Sequence, residues 1–217
     1  MTDRASFLAA VRSTPRGDDP GLPARDATPD APTELRAGED PIERFTRECE
    51  AVDATVAQAT RAGAADAVLA VLAEVGAQTV AIADDAPDGD ALLAACAAAG
   101  LTADRYAAVA ADRARAGRLD ATVTGCTAAV AATGSIITTA GQAGRAAALI
   151  APTHVCVVPR SDLVDGIHEL MTGGRLDAAG SLIAFQSGPS RSADIEKTLI
   201  LGVHGPGRVA IVLVTDA

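Results

Sequence analysis

The chain has 217 residues, of which 49% are hydrophobic, and its formal net charge is -10. This length suits one generous domain, alone or with an arm, and excludes two large domains. Aromatic residues make up only 2% of the chain, and the arginines are scattered among acidic residues. Because nucleic-acid binding usually needs a basic stripe and often aromatic stacking platforms, no nucleic-acid partner is expected.

No stretch of the sequence approaches the ~20 apolar residues of a membrane-spanning helix. The first residues carry Asp3 and a short amphipathic run in place of a signal peptide, so we expect no membrane span and a cytoplasmic location. The four cysteines are widely spaced and no Cys-x-x-Cys occurs, which argues against a zinc ribbon or an iron–sulfur cluster. We expect buried, reduced thiols, no metal site and no cofactor.

The first part of the chain differs in composition from the rest. Residues 3–13 have helical apolar spacing, and residues 14–41 then hold six of the 11 prolines among Asp, Glu and Gly. Such a segment buries too little apolar surface to fold alone. We predict an N-terminal helix and acidic arm over residues 1–44 and an α/β domain over residues 45–217. The arm is either a tail without a role or a segment that docks on a partner subunit of a homo-oligomer, and both interpretations stay open.

From Pro41 onward the pattern alternates between helices and strands. Proline suits the first position of a helix, which we predict to run toward Arg61. Further helices are predicted over residues 64–75, 88–99 and 161–171, and strands over residues 79–84, 121–126, 134–140, 154–159, 181–187 and 208–214. This order predicts the α/β class, with a mostly parallel sheet flanked by helices and ligand sites at the carboxyl ends of its strands. Since long irregular loops gather after residue 184, the chemistry is expected late in the chain.

The segment TGSIITTAGQAGR over residues 133–145 combines two glycine turns, several hydroxyls and Arg145 around a strand. Backbone N–H groups, hydroxyls and a guanidinium in such a loop can bind a phosphate or a carboxylate. The segment is neither a Walker motif nor Gly-x-Gly-x-x-Gly. Glycines near strand ends are also ordinary turn residues, so both interpretations stay open.

The segment SGPSRSADIEKT over residues 187–198 is unusually polar. Its Gly-Pro pair predicts a turn directly after a strand, and Ser192 is placed to cap a short helix. Lys197 could form a Schiff base if it were buried, but beside a glutamate we expect it to be solvated.

The charged residues of this segment have two interpretations. In the first, Arg191 forms a local ion pair with Asp194 or Glu196. In the second, Ser190 and Arg191 bind an anionic substrate, while the carboxylates orient the arginine or handle a proton. Both interpretations stay open.

The segment GVHGPG over residues 202–207 places His204 between glycines, where the imidazole can act as acid, base or hydrogen-bond donor. A loop histidine is also often only a surface residue. We expect His154, at the mouth of an apolar strand, to be structural, and His168 to be exposed on a helix. The absence of His-x-x-x-His and of Gly-x-Ser-x-Gly argues against a catalytic zinc site and a serine hydrolase.

The candidate site residues come from these three segments. The candidate catalytic residues are Asp194, Glu196 and His204. The candidate ligand-binding residues are Thr133, Gly134, Ser135, Arg145, Ser187, Gly188, Ser190, Arg191, His204 and Gly205. The expected ligand is a small anionic metabolite.

Four segments follow one another in a recognisable order: VTGCTAAVAATGS (residues 123–135), PTHVCVV (152–158), SGPSRSADIE (187–196) and GVHGP (202–206). Together they resemble the lactate utilization protein C family, whose shared module is the LUD domain. The last two segments are the specific ones. The resemblance covers roughly residues 45–217.

The resemblance implies a fold similar to that of ribose-phosphate isomerase, glucosamine-phosphate deaminase, CoA-transferases and 5-formyltetrahydrofolate cyclo-ligase. It also implies a role in oxidising L-lactate to pyruvate beside two partner proteins, at least one of which carries iron–sulfur clusters. Because this chain lacks cluster-type cysteine spacing, electron transfer would reside in those partners. Two positions depart from the family pattern, since Thr127 stands where an acidic residue is common, and Ala132 where a glutamate precedes the Thr-Gly pair.

Three hypotheses of function follow. The first, which the resemblance favours, is a non-redox subunit of a lactate-oxidising system that serves in substrate binding, assembly or regulation. The second is a stand-alone enzyme or ligand-binding protein of the isomerase, CoA-transferase or cyclo-ligase type, acting on a phosphorylated or carboxylated metabolite. The third is a purely structural assembly protein.

Overall fold

The structure is a computed structural model of the chain. It describes Asp3, Arg4, Ser6 and Ala9, and then residues 34–140, 146–177, 179–193, 199–202 and 204–217. The chain divides into two compact units, Met1–Ala31 and Pro32–Ala217. In the first unit, the backbone N–H and the hydroxyl of Ser6 donate hydrogen bonds to the Asp3 carboxylate. Most of the predicted helix and arm over residues 3–33 lies outside the described residues, and the boundary after residue 44 stays a prediction.

The second unit alternates between helices and strands. Its helices are α1 (Pro41–Ala51), α2 (Ala64–Glu74), α3 (Gly89–Ala98), α4 (Tyr106–Ala110), α5 (Arg113–Ala116) and α6 (Ile167–Thr172). Its strands are β1 (Thr55–Ala59), β2 (Thr79–Ile82), β3 (Thr102–Arg105), β4 (Ala121–Thr124), β5 (Ala128–Val130), β6 (Ser135–Thr139), β7 (Thr153–Pro159), β8 (Leu163–Val164), β9 (Ile183–Gln186), β10 (Arg191–Ala193), β11 (Leu199–Leu201) and β12 (Arg208–Val214). Short 3-10 turns form at Arg61–Gly63, Ala131–Thr133 and Arg160–Asp162. No described helix is long and apolar enough to cross a membrane.

Six strands form the main sheet, in the order β1-β12-β7-β4-β2-β3, and every neighbouring pair is parallel. β12 therefore lies between β1 and β7, with Ala210 opposite both Thr55 and Val155. The α/β class with a mostly parallel sheet flanked by helices is confirmed.

The two faces of the main sheet bury different sets of side chains. On one face, Val155 and Val212 pack with Leu72 of α2 and Leu92 of α3. Their neighbours along each strand point to the other face, because side chains alternate along a strand. There Cys156 and Val158 pack against α1 and a smaller sheet, while α4 and α5 cover another part. Both faces of the sheet are covered.

The first helix begins as predicted and ends earlier. Pro41 occupies its first turn, and the Asp40 carboxylate caps it by accepting hydrogen bonds from the N–H groups of Ile42 and Glu43 at 2.8 and 3.0 Å. The prediction that the helix continues toward Arg61 is wrong, because Asp53 takes a left-handed conformation (φ 62°) and β1 follows. Parallel pairing with β12 over the whole of β1 outweighs the helical propensity of its alanines.

The smaller sheet has the order β8-β5-β6-β9 and mixes parallel and antiparallel pairs. Ile137 on β6 packs with Leu170 of α6 on its outer face. The predicted helix over residues 161–171 is wrong in its first half, where Leu163 and Val164 form β8 beside β5. The helix begins only after Gly166, since the preceding residues extend the smaller sheet.

A two-stranded hairpin follows the smaller sheet. β10 and β11 pair antiparallel, with Ser192 opposite Ile200. A helix that begins directly after Ser192 is therefore wrong, because Ala193, which would be its first residue, is extended in β10. The rest of that predicted helix lies outside the described residues.

Candidate functional site at the amino edge of the main sheet

Two of the polar loops singled out in the sequence meet in the structure. The backbone N–H of Ser190 donates a hydrogen bond to the carbonyl oxygen of Pro206 at 2.8 Å, and the N–H of Gly202 donates to the carbonyl oxygen of Ser190 at 3.0 Å. A Cβ placed on Gly205 would lie 3.3 Å from Ser190 Cβ, so the two loops pack closely. Ser190 is the residue through which the two loops are joined.

The strands next to these loops define their position on the main sheet. The loop around Gly205 leads directly into Arg208, the first residue of β12, and it lies beside Pro152, which precedes β7. Because all strands of a parallel sheet begin at the same edge, the loops lie at the amino edge of the main sheet. The sequence predicted ligand sites at the carboxyl ends of the strands, whereas these loops lie at the opposite edge of the main sheet.

A chain of three hydroxyl groups links the Thr-Gly segment to the last polar loops. The oxygens of Thr133 and Ser135 are 2.9 Å apart, and those of Ser135 and Ser187 are 2.7 Å apart. Ser135 is buried, whereas Ser187 is exposed. Segments that are far apart in sequence thus form one polar line that reaches the surface.

Two of the predicted ligand-binding glycines are needed for packing against α1. Gly134 has a φ of 61°, and a Cβ placed on it would lie 2.6 Å from the backbone nitrogen of Cys49. Gly188 has a φ of 79°, and its Cβ would lie 2.3 Å from the carbonyl oxygen of Val52. No side chain fits at either position without moving the backbone of α1 or of the residue that follows it. Their role in ligand binding stays a prediction.

A buried arginine also fixes α1 to the Thr-Gly segment. Arg44 donates a hydrogen bond from Nη2 to the carbonyl oxygen of Ala132 at 3.2 Å and forms ion pairs with Glu39 and Glu48. The hydrogen bond from Arg47, followed by backbone donation, lowers the pKa of Glu39 to about 2. Position 132, which departs from the family pattern, contributes its backbone carbonyl to this network.

Arg191 pairs with a residue that the sequence did not indicate. Its Nη2 lies 2.5 Å from Oδ2 of Asp53, just after α1, and both side chains are partly or largely exposed. The predicted partners Asp194 and Glu196 lie outside the described residues, as do Arg145 and Lys197. Binding of an anion by Arg191 stays a prediction.

An open groove of about 540 Å³ runs beside the joined loops. Its lining residues are Leu149, Ile150, Ala151, Pro152, Gly202, His204, Gly205 and Gly207. His204 is exposed there, and Leu149 and Ile150 present apolar side chains at 41% and 39% exposure. The groove therefore offers an imidazole next to apolar surface, and the acid or base role of His204 stays a prediction.

His154 has the structural environment expected for it. It is fully buried, and its Nδ1 lies 2.7 Å from Oε1 of Gln186 while its Nε2 lies 2.8 Å from Oγ1 of Thr124. Oε1 is an acceptor, so Nδ1 donates to it, while Nε2 faces the hydroxyl of Thr124, which also lies 2.7 Å from the carbonyl oxygen of Gly125. Burial lowers the pKa of His154 to about 4, so the ring is neutral near pH 7. His168 is exposed, as expected.

Around His154 lies a polar cluster that the sequence analysis missed. Thr122 is buried, and its hydroxyl has no hydrogen-bond partner among the described residues. Thr124 and Gly125 follow, and the N–H of Gly125 donates to Oδ1 of Asp85 at 3.3 Å. Burial raises the pKa of Asp85. The available signal was the alternation of threonine with apolar residues in β4, a pattern that places hydroxyls on one face of a strand.

All four cysteines are buried and none forms a disulfide. Burial raises the pKa of Cys49 to about 12, and a hydrogen bond with Cys156, together with burial, raises that of Cys126. Thiols with raised pKa values are poor nucleophiles and poor metal ligands, since both roles use the thiolate. Within the described part of the chain, no group of three or more His, Cys, Asp or Glu side chains is placed to hold a metal ion.

These features define an α/β protein with a parallel six-stranded sheet, a smaller mixed sheet and joined Gly- and Ser-containing loops at the amino edge. Comparison of the sequence with known families places it further. The chain belongs to the LUD domain family, whose sequence model matches residues 42–214. This confirms the family that the four segments indicated.

Curated relatives with the name lactate utilization protein C match part of the chain. The protein from Halalkalibacterium halodurans is 37% identical over 93 residues, which is 40% of each chain. The one from Deinococcus radiodurans is 37% identical over 100 residues, covering 45% of this chain and 47% of the relative. The one from Bacillus subtilis is 38% identical over 78 residues, covering 34% and 32%. Each of these matches covers less than half of the relative's length.

A solved structure shares the fold. It is a DUF162 family protein from Deinococcus radiodurans, with a TM-score of 0.59 and 22% sequence identity. The match covers 81% of this chain and 96% of the solved one. At this identity the likeness concerns the fold alone.

Proposed function

We propose that the chain is a cytoplasmic, non-redox component of an L-lactate utilization system, in which it binds an anionic ligand beside iron–sulfur partners that oxidise lactate to pyruvate. Membership of the LUD domain family and the names of the curated relatives support the lactate system. Ligand binding is supported by the junction of the two loops, where the backbone of Ser190 is hydrogen-bonded to both Gly202 and Pro206.

The groups at this junction suit a carboxylate or a phosphate. Ser187 is exposed and heads the line of three hydroxyls, each of which can donate one hydrogen bond. Arg191 supplies a guanidinium, which binds carboxylates and phosphates through paired N–H groups. A bound anion would compete with Asp53 for this guanidinium. The affinity for the anion should therefore depend on the charge of Arg191.

The cysteines support a role without electron transfer by this chain. A thiolate is the form that binds iron, and burial holds the pKa of Cys49 at about 12. The pKa of Cys126 is raised as well. We therefore assign electron transfer to the partner proteins.

Growth on lactate tests the proposed system. Deletion of the encoding gene should impair growth on L-lactate as the sole carbon source, and the intact gene should restore it. Affinity purification of the tagged chain from lactate-grown cells should recover a protein with the absorption of iron–sulfur clusters. Normal growth of the deletion strain on L-lactate would contradict the proposal.

An arginine substitution tests the ligand site within that system. Arg191→Gln should fail to restore growth, whereas Arg115→Gln should restore it, because Arg115 is also an exposed arginine paired with an aspartate but lies away from the joined loops. If Arg191→Gln restores growth and keeps the partner complex intact, the chain serves as a structural assembly protein and ligand binding is rejected.

A stand-alone enzyme of the CoA-transferase, isomerase or cyclo-ligase type is the second candidate. The observation that favours it is the open groove beside His204, whose imidazole could transfer a proton to a phosphorylated or carboxylated metabolite. A thermal-shift screen with sugar phosphates, acyl-CoAs, folates and nucleotides tests this. A ligand at 100 times its dissociation constant should stabilise the protein by about 2.7 kcal/mol. No response to any of these compounds would reject the second candidate.

A further inference from the structure

A cavity of about 410 Å³ lies at the opposite edge of the main sheet. Its lining residues are Arg61, Ala62, Ala64, Ala65, Pro87, Asp88, Ala91, Leu92, Val157, Pro159, Val214 and Ala217. Pro159 and Val214 are the last residues of β7 and β12, so the cavity sits at the carboxyl edge, between the first turns of α2 and α3. This is the edge at which open α/β sheets usually bind their ligands. The volume falls within the range of small-molecule sites.

The walls of this cavity are almost entirely hydrocarbon. Val157 and Val214 form part of its floor on the helix-covered face of the sheet, and alanines of α2 and α3 form its sides. A sugar or a nucleobase buried here would lose hydrogen bonds to water without replacing them. An aliphatic or aryl group would instead gain from leaving water. The walls therefore select an apolar body.

One of the lining residues is an arginine whose guanidinium still has N–H groups free to donate. Arg61 donates hydrogen bonds from Nε and Nη2 to the two carboxylate oxygens of Asp88, both at 3.0 Å, and this pairing raises the pKa of Arg61. Its Nη1 makes no hydrogen bond to any residue that the structure describes. A guanidinium can bind a second carboxylate through its Nη1 and Nη2 groups. Arg61 can thus hold Asp88 and a ligand carboxylate at the same time.

The entrance to α3 is unusual in a way that favours an anion. Asp88 occupies the N-cap position but does not cap the helix, because its carboxylate is turned to Arg61. Its backbone is left-handed, with a φ of 51°, which is uncommon outside glycine. The first-turn N–H groups of α3 therefore receive no hydrogen bond from the usual capping side chain, and Ala91 of this turn lines the cavity. Such N–H groups attract negative charge.

We propose that this cavity binds a small monocarboxylate with an apolar aliphatic or aryl body. The body lies among the alanines, and the carboxylate pairs with the free edge of Arg61 near the start of α3. L-lactate, with a single methyl group and a hydroxyl, leaves most of this space empty. The cavity is therefore a second site, independent of the proposed lactate role and of the loops at the amino edge.

Calorimetric titration of the full chain with acetate, butyrate, hexanoate and octanoate tests the proposal. Affinity should rise about fourfold for each added methylene, equivalent to about 0.8 kcal/mol, until the cavity is filled. Hexanamide, which has the same body without the charge, should bind about tenfold more weakly or worse. An affinity that does not rise with chain length, or hexanamide that binds as tightly as hexanoate, overturns the proposal.

Variants locate the binding within the molecule. Arg61→Gln should weaken hexanoate binding about tenfold or more, while Arg115→Gln should leave it unchanged. Ala65→Leu and Ala91→Leu, on opposite walls, should each abolish binding by filling the cavity, with the thermal unfolding midpoint kept as proof of folding. Hexanoate binding that survives in both leucine variants, or in Arg61→Gln at full affinity, overturns the proposal. Growth on L-lactate does not enter these measurements, so either proposal can fail without the other.

Discussion

An ion pair between an aspartate and an arginine occurs at each edge of the main sheet, but the two pairs have different surroundings. At the amino edge, Asp53 is left-handed and pairs with Arg191, and at the carboxyl edge, Asp88 is left-handed and pairs with Arg61. The first pair lies among polar loops that are conspicuous in the sequence. The second lies at a cavity whose walls are mostly apolar, with alanine as the most frequent lining residue. Density of polar residues thus marks one edge, while the other can be recognised only from the way in which distant elements enclose a space.

The packing against α1 at the amino edge also differs from the packing around the carboxyl-edge cavity. At the amino edge, Gly134 and Gly188 touch the backbone of α1 and of the residue after it, so that even a methyl group has no room. At the carboxyl edge, α2 and α3 leave about 410 Å³ between them. Substitutions that add volume should therefore have opposite effects at these two glycines and at the cavity between α2 and α3.

The largest effect is expected for Gly188→Ala. The change places a Cβ 2.3 Å from the carbonyl oxygen of Val52 and forces a left-handed alanine, so we expect a loss of about 2–5 kcal/mol in the free energy of unfolding. Gly76→Ala is the matched control, because Gly76 is also left-handed but has open space around it. The control should lose only about 1–2 kcal/mol. Equal losses in urea unfolding would show that Gly188 does not pack tightly.

A pH-dependent loss of stability is expected from His154. Because its pKa in the folded protein is about 4, against an ordinary value of 6.5, the unfolded chain binds a proton first as the pH falls. Stability is thus complete above pH 6.5 and should decline by roughly 3 kcal/mol as the pH drops toward 4. Glu39, with a pKa lowered from 4.5 to about 2, loses its contribution mainly below this window. Unfolding measured from pH 7.5 to 4 should show a flatter decline in His154→Asn, and parallel curves would contradict the assignment.

Added volume should have opposite effects on stability in the carboxyl-edge cavity and in the close-packed core of the main sheet. Ala65→Leu projects into the carboxyl-edge cavity and should leave stability unchanged or raise it by about 0.5–2 kcal/mol. Ala81→Leu, at a fully buried position of β2, should lower it by about 1–3 kcal/mol. Thermal unfolding of both variants gives the comparison. A loss in Ala65→Leu as large as that in Ala81→Leu would show that the cavity is not free to accept a side chain.

The smallest effects are expected for the two aspartates themselves. Asp53→Asn and Asp88→Asn keep a residue that tolerates a left-handed backbone and remove one charge from an exposed pair. Each should change stability by less than about 1 kcal/mol, and the change should shrink in high salt. Urea unfolding at low and high salt measures it. A larger, salt-independent loss would mean that the aspartate has a structural role beyond the pairing.

Much of the fold follows from local patterns. The strand predicted over residues 208–214 coincides with β12 (Arg208–Val214), because a β-branched run bounded by glycine strongly favours a strand. β1 could not be found in this way, since Thr55–Ala59 acquires its conformation from pairing with β12. β8 has only two residues and likewise depends on its neighbour β5. Short strands that complete a sheet have too few residues to show the two-residue alternation that identifies a strand.

Part of the candidate site was also predictable from local sequence patterns. Ser190 and the Gly-Pro loops were found because glycine, proline and serine indicate a turn wherever they cluster in a sequence. The pairing of Arg191 with Asp53 was not found, because the partner lies in a different part of the sequence. The cavity beside Arg61 was also missed, since alanines are frequent throughout the chain and carry no signal of the space between two helices.

The place of β12 between β1 and β7 has a consequence for biosynthesis. Within the described sheet, β1 has β12 as its sole hydrogen-bonded neighbour. On a ribosome that adds roughly 5–20 residues per second, residues 208–214 are made on the order of 10–30 s after β1. During this interval the nascent chain has an unpaired strand edge and an uncovered apolar surface. Its need for a chaperone should therefore be greatest just before β12 is synthesised.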